Sequence, residues 1–301
     1  MNPRVDWEDK KERKRTRQRV TTGPRRSRSA KPLAGVRIVS LAQNVPGPVA
    51  VSRLVAAGAM AVKIEPPAGD PLRTLSRAWY RRLHRGVTVE RVDLKTASGR
   101  TRLHALLESA DLLITSQRPS ALGRLGITAR ALARAHARLR WVNIVGDTHD
   151  PERPGHDLTY QAEVGLLGTQ MPRTLMADLL GAERAVSAAL LLLASRPPCA
   201  SQVGLRDAVE SLAVPLKVGL TARQGALGGG LPAYGIYETR AGRVAVAALE
   251  PHFRARLYSE LGLDNGADLT AVMRTRTARQ WQRWAVARDL PLVGLTTGVD
   301  A

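Results

Sequence analysis

Between Gly35 and Pro67 the chain spells out a strand, a turn, a helix and a second strand. Gly35-Val-Arg-Ile-Val-Ser-Leu41 alternates as a strand does, and Asn44-Val-Pro-Gly-Pro48 carries turn residues. Val49–Ala57 follows as a helix, with Pro48 suited to its first turn and Gly58 to its end. Ala61-Val-Lys-Ile-Glu65 is the second strand, stopped by Pro66-Pro67. A strand that returns parallel to its predecessor needs a crossover, and a right-handed helix is the standard one. This βαβ unit therefore commits the chain to an α/β sheet. The turn lacks G-x-G-x-x-G, so it is not a dinucleotide fingerprint.

The alternation continues. Val87–Leu94, Asp111–Thr115 and Leu139–Val145 read as strands, with helices over Gly99–Ser109, Pro119–Leu125 and Ala129–Arg138. The fold class is α/β: a Rossmann-like, mostly parallel sheet. Pro197–Gln202 reads as a loop and Val203–Val218 as a strand turning into a helix. After the glycine-rich Gly225–Gly230 the style changes. Gly235–Thr239 and Arg243–Leu249 make a hairpin, followed by helices at Pro251–Leu261, Leu269–Met273 and Thr277–Arg288. This predicts a basic tail over residues 1–31, a large domain over 32–227 and a smaller α+β domain over 228–301.

Composition removes several classes of function. A single cysteine, Cys199, excludes an internal disulfide and a cysteine-rich metal site. The histidines have no metal-ligand spacing, and no metal is expected. No apolar run approaches membrane-span length and no signal peptide is visible, so a cytoplasmic protein with no membrane partner is expected. The net charge is +20, from 46 basic and 26 acidic residues. Its arginine and alanine bias resembles codon bias and is discounted as a signal. In residues 1–31 twelve Lys/Arg stand against four acids, with too few apolar groups to order the segment. No aromatic interleaving accompanies that charge, which argues against a nucleic-acid partner.

The chemistry concentrates in Pro154–Ala194, where charge is sparse. An adjacent His156–Asp157 pair is followed by Asp178, set between an apolar Thr-Leu-Met-Ala run and a Gly-Ala-rich helix. An acid and an imidazole in an apolar frame suit acid/base or nucleophilic work. The same two acids equally suit capping two helices.

Five segments, in order, resemble family III CoA-transferases (the CaiB/BaiF type), including their alpha-methylacyl-CoA racemase branch. They are PLAGVRIVSLAQNVPGPVAVSRLVAAGAMAVKIEPPAGDPLR, DLLITSQRPSALGRLGI, GHDLTYQAEVGLL, PRTLMADLLGA and GGGLPAYGIYETRAGRVAVAALEPHF. The resemblance runs over about residues 32–295. It implies a Rossmann-like large domain, a small domain and an interlocked homodimer. It also implies that the returning C-terminal segment is missing from this sequence, and that a loop is shortened around Gly168–Pro172. The substrates it implies are an acyl-CoA and a carboxylic acid, with coenzyme A as the group moved. Asp178 matches the family's nucleophile, His156 and Asp157 the racemase histidine and its neighbour, and Glu250 a glutamate that orients that histidine. Val45, Pro46, Lys63, Arg73, Arg85 and Arg118 are the matched candidates for binding CoA. Gly228, Gly229 and Gly230 match a mobile glycine loop that closes over the site. Transferase chemistry at Asp178 is the first reading. Racemase-like exchange of an alpha proton between His156 and Asp178, or an inactive CoA-binding homologue, are the alternatives.

Overall fold

The computed structural model describes residues 31–295, so the basic tail expected over 1–31 lies outside it except for Lys31. The elements run β1 (Arg37–Ser40), α1 (Pro46–Ala56), β2 (Met60–Glu65), α2 (Leu72–Leu75), α3 (Arg77–Leu83), β3 (Val87–Arg91), α4 (Ala97–Glu108) and β4 (Leu112–Thr115). Next come α5 (Pro119–Arg124), α6 (Ala129–Ala135), β5 (Arg140–Val145), α7 (Asp157–Glu163), α8 (Met176–Ala194), β6 (Cys199–Gly204), α9 (Leu205–Leu212) and α10 (Val214–Lys217). A π-turn over Ala226–Gly230 leads to β7 (Tyr234–Glu238), β8 (Arg243–Ala247), α11 (Pro251–Leu261), α12 (Thr270–Met273), α13 (Ala278–Val286) and β9 (Leu292–Gly294).

The first six strands form one parallel sheet in the order β3-β2-β1-β4-β5-β6. The last three form a small antiparallel sheet, β7-β8-β9. The α/β reading therefore holds, with the large parallel sheet and the smaller α+β unit both present. Two local readings are corrected. The segment read as a loop at Pro197–Gln202 contains the start of β6, a polar edge strand whose pairing with β5 supplies what its sequence lacks. Helix α1 starts at Pro46, because the two prolines occupy positions whose N–H groups have no helical partner. The short helices α2 and α3, and strand β9, had no readable signal.

Small side chains decide how the large unit packs. Ala42, Ala50, Ala182, Ala185 and Ala189 are fully buried where α1 and α8 cover one face of the sheet. A methyl at Gly47 would collide with Ala42, so α1 lies as close to the β1 end as a backbone can. The opposite face is leucine-rich, with Leu103, Leu107, Leu113, Leu122 and Leu139 buried under α4, α5 and α6. Each such side chain contributes about 2 kcal/mol of burial. The small unit has its own core around Val244, Val246, Leu257, Tyr258, Met273 and an edge-to-face Trp281–Trp284 pair. No helix among the described residues is long and apolar enough to cross a membrane.

Candidate active site

A cleft of about 280 Å³ opens at the carboxyl edge of the parallel sheet. Its walls include Gln43 and Asn44 after β1, Ser116 to Arg118 after β4, and Ile144 to Gly146 at the end of β5. β1 and β4 are adjacent, and chain order reverses between them, which is where open α/β sheets bind ligands. The two loops are stitched across that point. Gln43 N–H donates to Ser116 Oγ at 3.0 Å, and Gln117 Nε2 donates to the Leu41 carbonyl at 2.6 Å.

The remaining wall comes from α7 and the start of α8. His156, Tyr160 and Asp178 all line the cleft. His156 is the N-cap of α7, and its N–H is held by Thr159 Oγ1 at 3.0 Å. Residues four apart share a helix face, so α7 presents two functional faces. His156 and Tyr160 point to the cleft. Asp157 and Gln161 point to α8, with Gln161 Nε2 donating to Asp157 Oδ2 at 2.5 Å.

Asp157 is 5 % exposed. Helix α8 begins at Leu175-Met176, and no side chain of its own caps it. Asp157 Oδ1 supplies the cap from the neighbouring helix, accepting from Ala177 N–H at 2.7 Å and Asp178 N–H at 3.1 Å. These are the second and third helical N–H groups, the usual targets of an N-cap oxygen. The capping reading of the two acids thus describes Asp157 well, but the helix it caps is the next one, not its own.

Asp178 is the third residue of α8, and its carboxyl group has no hydrogen-bond partner among the described residues. Burial, and then the charge of Asp157, push its pKa from 3.8 up to about 7. The helix dipole favours the ionised form at this position, but only by about 0.3–1 kcal/mol, and desolvation outweighs it.

The other matched residues are dispersed. Pro46 and Arg118 line the cleft, with Arg118 exposed, and Val45 is buried at the start of α1. Arg73 and Arg85 are exposed at the ends of α2 and α3, outside the cleft lining. Lys63 is 2 % exposed and wholly engaged. Its ammonium contacts Asp70, Glu65 Oε1 at 3.1 Å and His84 Nε2 at 2.9 Å, while Tyr80 O–H donates to Glu65 Oε1 at 2.8 Å. Asp70 Oδ1 in turn accepts from Asn44 N–H at 3.1 Å, so the cluster braces the first turn of the cleft from behind. Glu250 is an exposed residue at the N-cap of α11 in the small unit and is not part of the cleft lining. Gly228 to Gly230 end the π-turn, also outside it.

Among the described residues two groupings have ligand atoms close enough for a metal, Glu65/Asp70/His84 and Asp147/His149/Asp207. The first already holds the Lys63 ammonium. In the second the His149 side chain is 85 % exposed and Arg206 lies 3.7 Å from Asp147. Tyr160 and Gln161 were not singled out in the sequence. Their signal was the four-residue spacing from His156 and Asp157 on one helix.

The fold and site define a class: a doubly wound α/β protein with a carboxyl group set in its switch-point cleft. The model of CoA-transferase family III matches residues 33–290, and the chain belongs to that family. It is 31% identical to a probable fatty acyl-CoA transferase of Mycobacterium tuberculosis over 158 residues, 48% of this chain and 40% of that protein's length. It is 28% identical to the alpha-methylacyl-CoA racemase of Mus musculus over 257 residues, 77% of this chain and 65% of that protein. A crystal structure of a hypothetical protein from Mycobacterium tuberculosis superposes with a TM-score of 0.79 at 23% identity, covering 90% of this chain and 87% of that one, which bears on the fold.

Proposed function

We propose that this chain moves coenzyme A between an acyl-CoA thioester and a carboxylic acid, with Asp178 as the nucleophile. The observation that carries this is a carboxyl group at the start of α8, without a hydrogen-bond partner among the described residues, on the wall of a cleft at the sheet's carboxyl edge. The Asp178 carboxylate adds to the thioester carbonyl carbon. The C–S bond breaks, its electron pair leaves on CoA as thiolate, and an acyl–aspartyl anhydride remains. The acceptor carboxylate then attacks the Asp178 carbonyl carbon of the anhydride and the donor acid leaves as its carboxylate; the thiolate adds to the acceptor's acyl carbon, and the Asp178 carboxylate leaves, regenerated. Family membership and the relatives' transferase and racemase names support a CoA-thioester substrate.

One observation favours a second reading. His156 shares the cleft, and an acid with a pKa of about 7 is matched to proton transfer at neutral pH. Both suit alpha-proton exchange on an acyl-CoA. Incubating the protein with an acyl-CoA and a labelled free acid, in deuterated water, separates the two. Label entering the thioester pool supports CoA transfer, and alpha-deuteration without transfer supports exchange. Full turnover by Asp178→Ala refutes both.

A further inference from the structure

Tyr160 is 3 % exposed, yet its phenol has no hydrogen-bond partner among the described residues. Buried tyrosine hydroxyls ordinarily find one. This one is not sealed in the core, because the residue lines the cleft together with Asp178 and His156. The ring is seated there by two glycines. A methyl at Gly146 would collide with the hydroxyl, and one at Gly155 with the ring edge. The absence of two side chains thus fixes where the O–H sits. It also lies within reach of the Asp178 charge, which, after burial, is the second cause holding the phenol's pKa above its ordinary value. The hydroxyl therefore keeps its proton at neutral pH.

A rigid, neutral O–H donor in one cleft with Asp178, with its acceptor supplied by no group among the described residues, fits an oxygen of the substrate. We propose that Tyr160 is a catalytic residue whose O–H donates to the carbonyl oxygen of the bound acyl thioester. This rests on the acyl-CoA reading above. When Asp178 adds to the carbonyl carbon, negative charge passes to that oxygen and then out with the sulfur, while the proton stays on Tyr160. A preorganised donor of this kind is typically worth about 10²–10³ in kcat.

Tyr160→Phe keeps the ring between the two glycines and removes only the donor. The expected result is a fall in kcat of about a hundredfold, with KM for acyl-CoA within about threefold and an unchanged melting curve. A second measurement reads the contact directly: the ¹³C resonance of [1-¹³C]acetyl-CoA bound to Asp178→Asn should move downfield relative to free acetyl-CoA. In the Tyr160→Phe/Asp178→Asn double variant that shift should be lost while binding persists. A kcat for Tyr160→Phe within twofold of the parent, or a carbonyl shift that survives the double variant, overturns the assignment. Failure of acetyl-CoA to bind Asp178→Asn at all overturns the acyl-CoA reading and this inference with it.

Discussion

Replacing Asp178 by asparagine should stabilise the protein above pH 7 while abolishing its activity. The side chains are nearly isosteric, so packing changes little and the charge is the variable. In the fold the carboxyl group keeps its proton until about pH 7, and in the unfolded chain it loses it near 3.8. Between those values the folded state holds more protons, so stability falls as pH rises. The cost is absent below the lower value and complete above the upper one. The difference of about 3 pKa units, at about 1.36 kcal/mol each, sets an upper bound of about 4 kcal/mol. The cleft is open to water, so about 2–4 kcal/mol is the expected gain for asparagine at pH 8. The opposing helix-terminus interaction of an ionised acid is worth only about 0.3–1 kcal/mol. Urea unfolding of both proteins at pH 4, 6 and 8 measures the gap. Near zero at pH 4 and widening with pH is the expected pattern, equivalent to a rise in Tm of about 5–10 °C at pH 8. Equal stabilities at pH 8, or a gap that widens toward acid, would refute the claim that burial and Asp157 load this carboxyl group with unfavourable energy.

Three further outcomes follow from the same geometry. Asp157→Ala removes the cap of α8 and the nearby charge together, so we expect a loss of about 1–2 kcal/mol in denaturant unfolding and a shift of the acid limb of the pH–rate profile to lower pH. Lys63→Met leaves the buried Glu65 and Asp70 without their cation and should cost about 3–5 kcal/mol at pH 7, which chemical denaturation checks. Arg118→Ala, an exposed change on the cleft rim, should leave the melting curve unchanged and raise KM for acyl-CoA with little effect on kcat, as initial-rate kinetics would show.

Much of the fold is readable from local pattern. The period-two strands, the prolines at the start of α1 and the Gly58 stop impose βαβ geometry without tertiary information, because parallel strands require a crossover. What escaped was the short and the polar. Cys-Ala-Ser-Gln-Val-Gly becomes β6 because β5 offers it an open edge, and α3 forms where Tyr80 and His84 dock on the Lys63 cluster. The candidate site divides in the same way. Asp178 and His156 stand out as an acid and an imidazole in apolar surroundings, and both line one cleft. Glu250 is as visible in sequence, yet it sits at the N-cap of α11 and is not among the residues that line the cleft.

Besides the family resemblance of five segments, the sequence by itself determined the alternating α/β plan and the short stretch where reactive side chains collect. Those follow from periodicity, turn chemistry and residue type, which act over a few neighbours. Tertiary structure alone decided the jobs of those side chains. The Lys63 ammonium is spent on buried acids behind the cleft, and Asp157 reaches across to cap α8. Asp178 has no hydrogen-bond partner among the described residues, its pKa is raised, and it lines the cleft. Partner, burial and like charge set what a carboxyl group can do, and all three are supplied by segments distant in sequence.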